Sequence, residues 1–249
     1  MTDVNGPAAE APRITRPRGR RDRARVTRQR IAESALRLFS ANGYAATTMD
    51  AIAHDAGVAV QTVYFTFHTM ADVLIEAIKI AGGGPGTTAD VMSRAWVQEA
   101  FAAPDGGRRL AVIVEHGTEI YRRLAPMVRA ISAAASVDPG VDEAWNDIVR
   151  GRREGMRRMT QAMEDRGELR RGLGTARAAD IMSAVNRHDV FLAFTVECGW
   201  SVEEYKAWAY ATLARQLLSD SEADTALAAG SPATAGMSFG TALLDLPVR

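Results

Sequence analysis

The chain has 249 residues, of which 47% are hydrophobic and 24% charged, a composition typical of soluble globular proteins. Its single cysteine, Cys198, excludes an intrachain disulfide framework and any metal site built from several cysteines. The thirty basic and thirty acidic residues cancel overall. Residues 1–67, however, hold ten arginines and six acidic residues, a net charge of +4, which leaves −4 for the rest. A basic head on an acidic body predicts that the N-terminal end meets a polyanion.

The predicted organisation is all-α and has two domains. No segment is apolar enough for a signal peptide or a membrane span, so we expect a soluble, cytoplasmic protein without a membrane partner. Apolar residues recur at helical spacing from about Val26, and no run alternates for long enough to form a strand. The predicted units are a disordered basic arm at 1–22, a helix-turn-helix domain at 23–69, a helical ligand-binding and dimerisation domain at 70–219 and a flexible tail at 220–249.

Two short helices separated by a glycine indicate a helix-turn-helix motif near the N-terminus. The first helix of the domain should end at Asn42-Gly43, because glycine tolerates the left-handed conformation that follows a helix. Thr47-Thr48 offers an N-cap hydroxyl for the second helix, and Gly57 supplies the turn before a third helix at about 60–67. The outer face of this third helix would then be free to enter a groove of DNA.

The third helix has no charged residue, so its contacts with DNA would come from polar and aromatic side chains. Gln61 can make a two-point contact with adenine, and the Tyr64 hydroxyl can reach a phosphate. Val60, Thr62 and Thr66 could equally contact bases or face solvent and the second helix. The arginines before the first helix either enter a minor groove, which we favour, or form a solubilising tail. The predicted DNA-binding residues are Arg20, Arg21, Arg23, Arg25, Thr47, Thr48, Val60, Gln61, Thr62, Tyr64, Phe65 and Thr66.

The same stretch resembles the DNA-binding domain of TetR-type transcriptional regulators over about Thr27–Ile80. A later stretch, from Gly199 to Leu218, is more loosely similar to the C-terminal helix of some members. The motifs that carry the main resemblance are Ala35-Leu36-Arg37-Leu38-Phe39, Asn42-Gly43-Tyr44, Thr47-Thr48-Met49, Ile52-Ala53, Ala56-Gly57-Val58 and Val63-Tyr64-Phe65-Thr66-Phe67.

The resemblance implies a homodimer that binds a double-stranded DNA operator through the N-terminal domain. It also implies a repressor that leaves the operator when a small hydrophobic or amphipathic effector binds the helical domain. Two positions depart from the family pattern: Ala59 stands where members commonly have a helix-capping serine, and Met70 where they have a phosphate-binding lysine. The arginines of the arm would then contribute much of the binding affinity for DNA.

The helical domain offers candidates for an effector pocket but none for catalysis. The four histidines are never spaced three or four residues apart, so we expect neither a metal nor another cofactor. His116 lies on an apolar helix face, where it is either a core residue or a ligand contact, and Cys198 is expected to be a buried, inert thiol. The glycine run 82–86 is expected to be a flexible joint. The candidate pocket residues are Trp96, Phe101, His116, Tyr121, Trp145, Met159 and Phe191.

Two alternatives remain open at this point. A constitutive or architectural DNA-binding protein would have the same N-terminal domain but a filled helical core without a ligand. A helical-bundle enzyme is the less favoured alternative, because the sequence has no pattern of a nucleophile with its base, paired carboxylates or metal ligands. We therefore expect a regulator and not an enzyme.

Overall fold

The computed structural model describes residues 19–83 and 91–229, and within them the chain folds into α-helices joined by short turns. The β-structure of this part is a single isolated antiparallel bridge between Leu169 and Leu218. None of the helices in the two described ranges is long and apolar enough to cross a membrane. The helices are α1 (Arg20–Asn42), α2 (Met49–Ala56), α3 (Val60–Thr66), α4 (Met70–Gly83), α5 (Ala95–Ala102), α6 (Gly106–Leu124), α7 (Val128–Ala135), α8 (Pro139–Asp165), α9 (Thr175–Val185), α10 (His188–Leu192), α11 (Val202–Leu217) and α12 (Asp220–Ala229).

The all-α prediction is confirmed, while three predicted features lie wholly or partly outside the described residues. These are residues 1–18 of the basic arm, 84–86 of the glycine run and 230–249 of the tail. Gly82 and Gly83 of the glycine run belong to the last turn of α4.

Two hydrophobic cores organise the described helices. The first core joins α1 to α4 with α7 and the start of α8, and the second joins α5 and α6 with the end of α8 and α9 to α12. Ile120 of α6 packs against both. Helices α6 and α8 therefore both run between the two cores and link them.

The local signals of the helix-turn-helix motif act as the sequence predicts. The Thr48 hydroxyl accepts a hydrogen bond from the Ala51 amide at 3.1 Å and caps α2. Gly57 ends α2 in the left-handed conformation, with φ 62° and ψ 42°, and its amide donates to the carbonyls of Ala53 and His54. The turn between α2 and α3 thus depends on a backbone conformation that other residues adopt only at a cost.

We expect Gly57→Ala to lower the free energy of unfolding by about 1 kcal/mol through backbone strain alone. Nothing lies within 4 Å of a Cβ atom built at Gly57, so no steric clash adds to the strain. Gly151→Ala is the matched control, since Gly151 lies inside α8 with equally open space. Alanine there should raise the free energy of unfolding by about 0.5–1 kcal/mol. Urea unfolding of both variants measures the contrast, and the same sign for both would contradict it.

Helix α1 begins earlier than the sequence predicted. It starts at Arg20, whereas the predicted arm extended to residue 22 and helical periodicity was recognised only from Val26. Residues 21–26 are exposed, so no apolar face marks them in the sequence. The arginines at 20–25 therefore belong to a helix rather than to an irregular arm.

The predicted flexible tail is wrong for its first ten residues, which form α12. Ala223 and Ala226 of α12 are buried in the second core, and the Tyr210 hydroxyl donates to the Ala226 carbonyl at 3.1 Å. Ala226 also lies so close to Gly107 that a Cβ there would be 2.7 Å from its own Cβ. The small residues of α12 allow it to cross α6 closely. The same small residues give the segment the composition of a flexible tail.

Between α8 and α11 the chain does not form one continuous helix, because it is interrupted at Asn186. Helix α9 ends at Val185, α10 starts at His188, and a π-helical turn follows at Ala193–Glu197. Cys198 follows this turn and is exposed, so the expectation of a buried thiol is wrong. The interruption places backbone carbonyls, rather than another helical turn, beside α6 and α8.

A buried ion pair holds the N-terminal part of α6. The Arg109 side chain is fully buried and donates twice to the Glu168 carboxylate, with both N–O distances 2.9 Å. Its remaining donors reach the carbonyls of Ala100, Phe101 and Ala103 at the end of α5. One guanidinium thus joins α5, α6 and the segment after α8.

Candidate DNA-binding surface and effector region

The outer face of α3 consists of uncharged side chains that project into solvent. Phe65 is 85% exposed and Tyr64 50% exposed, and Gln61 is exposed as well. Val63 is buried and Phe67, directly after the helix, is 1% exposed, and together they anchor α3 in the first core. The predicted separation of a core face from a free face on α3 is therefore present.

Four of the predicted DNA contacts differ in their surroundings from this exposed set. Thr47 is buried, and its hydroxyl donates to the Gly43 carbonyl at 2.8 Å, so its inclusion among surface contacts is wrong. The Thr66 hydroxyl donates to the Thr62 carbonyl of its own helix at 2.7 Å. Val60 is half-buried against the first core. Thr62 is also half-buried, whereas Thr48 is exposed at the N-terminus of α2.

Arg28, which sequence reasoning did not select, fastens the C-terminal end of α3. Its guanidinium donates to the Thr66 carbonyl at 3.2 Å, forms an ion pair with Glu76 of α4 at 2.8 Å, and lies 4.3 Å from the centre of the Phe67 ring. These contacts join α1, α3 and α4. Their partners are 38 to 48 residues away along the chain, so no local pattern could reveal them.

Arg21 and Arg25 lie on the same face of α1 as Arg28, because they precede it by seven and three residues. Both are exposed, as is Arg23 on the other side of the helix. Arg20 begins α1. The stripe Arg21–Arg25–Arg28 leads from the N-terminus of α1 to the end of α3, so positive charge flanks the uncharged outer face of α3.

The seven candidate pocket residues do not form one site. Trp96 stacks on His116 with ring centres 5.5 Å apart, and both are partly exposed. Trp145 packs against the first core and meets His188 edge-on at 5.4 Å. The remaining members lie in or against the second core: Phe101, Tyr121, Met159 and Phe191.

A polar cluster at the break between α9 and α10 was missed by sequence reasoning. The Asn186 carbonyl accepts from the Tyr121 hydroxyl at 2.5 Å and from Arg152 at 2.6 Å. The Asn186 side chain lies over Gly117, where a Cβ would be 2.7 Å from its Oδ1. Within the described residues, this Oδ1 and the buried Thr118 hydroxyl have no hydrogen-bond partner. Two buried, unpartnered polar groups therefore lie on α6 and at the break between α9 and α10.

We expect the free energy of unfolding to fall as the pH decreases from 7 towards 5, because of His188. Burial lowers the pKa of His188 below its ordinary value of 6.5, with Asp189 opposing and Arg187 and Arg152 adding to the effect. The unfolded chain then binds the proton more readily, so the stabilisation is complete above about pH 6.5 and is lost below it. His188→Gln should flatten this part of the profile of thermal unfolding against pH. His54→Gln, on exposed α2, should keep it; a steep profile in His188→Gln would contradict the prediction.

A glycine turn between two short helices, an exposed α3 and a flanking arginine stripe define a helix-turn-helix protein with a helical body. Residues 31–77 match the family described as bacterial regulatory proteins, tetR family. This match covers α2 and α3 whole and parts of α1 and α4. The match lies within the helix-turn-helix region, and members of the matched family are DNA-binding regulators.

Solved structures resemble the chain over most of its length. SmeT in complex with triclosan, the repressor of a multidrug efflux pump of Stenotrophomonas maltophilia, is 20% identical with a TM-score of 0.60, covering 78% of this chain and 93% of its own. A protein classed as a transcriptional regulator, from Saccharomonospora viridis and in complex with choline, has the same identity and TM-score and covers 78% and 98%.

A third similar structure, classed in the TetR family, comes from Mesorhizobium loti. It is 20% identical with a TM-score of 0.60, covering 83% of this chain and 98% of its own. No curated protein matches the sequence. At these identities the likeness is one of fold, and about four fifths of the chain has the fold of TetR-type transcriptional regulators.

Proposed function

We propose that this protein is a homodimeric transcriptional repressor that binds a double-stranded DNA operator through α3 and the start of α1. The observation that carries the proposal is the exposed, uncharged face of α3 with the arginine stripe beside it. Uncharged polar and aromatic groups suit the reading of base edges, whereas arginines suit the phosphate backbone. Such a regulator acts in the cytoplasm, where the chromosome of a bacterium lies.

The proposed contacts combine side chains of α2 and α3 with the arginines at the start of α1. Gln61 and Tyr64 reach a base edge and a phosphate, respectively, while exposed Thr48 and the free amides at the start of α2 approach a second phosphate. Thr62 and Val60 contribute at the edge of this surface. Arg20, Arg21, Arg23 and Arg25 extend the contact along the backbone beyond the end of α3.

We further propose that a small hydrophobic or amphipathic effector binds in the second core and releases the operator. Asn186 lies beside Tyr121, an aromatic residue of the second core, and Thr118 is buried on the same helix as Tyr121. Their unpartnered oxygens, Asn186 Oδ1 and Thr118 Oγ1, suit an apolar molecule with one or two polar atoms. The triclosan and choline complexes of similar structures support a small-molecule site in this fold. Binding would shift the population towards an arrangement in which the two α3 helices no longer fit one operator.

The test begins with selection of duplexes from a random library by the full-length protein, followed by light scattering of free protein and complex. A palindromic site bound by two chains is expected, with half-sites roughly 34–36 Å apart or slightly more. Apolar compounds that raise the melting temperature are then tested for loss of DNA affinity. Absence of any sequence preference would refute the regulator, and compounds that stabilise without releasing DNA would refute release by an effector.

A further inference from the structure

We propose that the exposed ring of Phe65 contacts the C5-methyl group of a pyrimidine in the major groove at one position of each half-site. The proposal rests on the proposed DNA-binding function and specifies how the α3 surface selects its sequence. The methyl group belongs to thymine or to 5-methylcytosine, and the experiment below separates these two sources.

The starting observation is that Phe65 contributes almost nothing to the fold. It is 85% exposed, whereas Val63 and Phe67, its neighbours two residues away on either side, are at most 1% exposed and hold α3 in the first core. A phenyl ring buries a large apolar area only when something covers it. Phe65 lies on the free face near the C-terminal end of α3, so the molecule that binds this face of α3 would cover the ring.

Charge identifies that partner as double-stranded DNA. The stripe Arg21–Arg25–Arg28 approaches the end of α3 that bears Phe65, since Arg28 contacts the Thr66 carbonyl. Arg21 and Arg25 are exposed and suit phosphates on either side of a groove. An apolar protein partner would instead have to accept the exposed Arg21 and Arg25 at its rim.

The chemistry of α3 then favours a methyl group as the target of the ring. Helix α3 has no arginine or lysine, so it cannot make the two-point contact from these residues that reads guanine. Gln61 lies one helical turn before Phe65 on the same face and suits adenine. In the major groove, the apolar feature of a base pair is the C5-methyl group of the pyrimidine, which an aromatic ring covers without any hydrogen bond.

The experiment uses the full-length protein and the duplex that it selects from a random library. Each thymine of one half-site is replaced in turn by deoxyuridine, which removes only the methyl group, and each cytosine in turn by 5-methylcytosine. Dissociation constants are measured for the wild type, Phe65→Ala and Gln61→Ala. Because Phe65 is exposed, the alanine variant should fold, and its melting temperature verifies this.

For the wild type we expect one deoxyuridine position to weaken binding about 4-fold, the effect of losing one buried methyl group. Phe65→Ala should bind the thymine and deoxyuridine duplexes equally, while Gln61→Ala should keep the 4-fold difference. If 5-methylcytosine instead tightens binding of the wild type and not of Phe65→Ala, the methyl group recognised is that of methylated DNA.

Three results would overturn the proposal. The first is that binding by the wild type does not depend on any methyl group. The second is that Phe65→Ala keeps the full dependence on the methyl group, which would mean that another side chain contacts it. The third is that Phe65→Ala binds all duplexes as tightly as the wild type. Selection of no preferred duplex is a different failure, because it refutes the proposed DNA-binding function itself before any methyl group is tested.

Discussion

Replacing Arg109 by methionine is expected to lower the free energy of unfolding by about 3–5 kcal/mol. Methionine fills much of the same space but leaves the Glu168 carboxylate, only 6% exposed, buried without a counter-charge. The carbonyls of Ala100, Phe101 and Ala103 lose a donor at the same time, although Arg166 still serves the last two. Urea unfolding followed by circular dichroism measures the change.

The double variant Arg109→Met with Glu168→Leu separates the cost of an unpaired charge from the worth of the pair. Removing both partners also removes the isolated carboxylate, so this variant should recover much of the stability lost in the single one. Arg153→Met is the matched control, because Arg153 pairs with Asp180 at the surface. Its replacement should lower the free energy of unfolding by less than about 1 kcal/mol. A single variant as stable as this control would show that the buried pair is not needed.

Replacing Arg21, Arg23 and Arg25 together by alanine is expected to make DNA binding markedly weaker and less sensitive to salt. If each arginine neutralises one phosphate in each protomer of a dimer, the slope of log K against log salt becomes shallower by about 5. The three side chains are exposed on α1, so the fold should be unaffected. Fluorescence anisotropy across a salt series measures both effects.

The matched control for this variant is a set of three exposed arginines on the body, Arg153, Arg157 and Arg158, replaced in the same way. It changes the net charge by the same amount but leaves α1 intact. An equal change of slope in both variants would mean that overall charge, and not contact by α1, governs binding. An unchanged slope in the α1 variant would exclude these arginines from the interface.

The sequence predicted the helix-turn-helix motif well, because its signals are local. The cap at Thr48 and the left-handed turn at Gly57 each depend on a few neighbouring residues. Local sequence patterns could not show that Thr47 is buried and Thr48 exposed. Which of two adjacent threonines faces the core depends on how the other helices pack around them. Arg28 can anchor α3 only because α3 and α4 pack beside α1 in the folded protein. Spacing along the sequence does not reveal this packing.

The effector region was less predictable for a related reason. Trp96, Trp145 and Phe191 were grouped by residue type, but they lie on α5, α8 and α10 and pack against different neighbours. The unpartnered groups of Thr118 and Asn186 arise where α9 breaks against α6, and that break has no proline or glycine to announce it. Likewise, the composition of α12 did not reveal that Ala226 packs closely against Gly107. This contact makes α12 part of the second core.

The start of α6 is held by a buried ion pair and close packing, and its end by a hydrogen bond to α4. The helix can therefore be compared to a lever with its pivot near its start. Near its start Arg109 is locked into Glu168, while Gly106 and Gly107 lie directly under Leu218 and Ala226. At its other end, Arg123 holds the Ala81 carbonyl of α4 at 2.8 Å.

Thr118 lies about 13 Å from the Arg109 pivot and Arg123 about 21 Å, at 1.5 Å per residue. If Arg109 is the fixed point, a sideways displacement of Thr118 gives one about one and a half times as large where α6 meets α4. The long arm of this lever ends on α4, whose Glu76 pairs with Arg28, and Arg28 also donates to the Thr66 carbonyl of α3, the helix that carries Phe65.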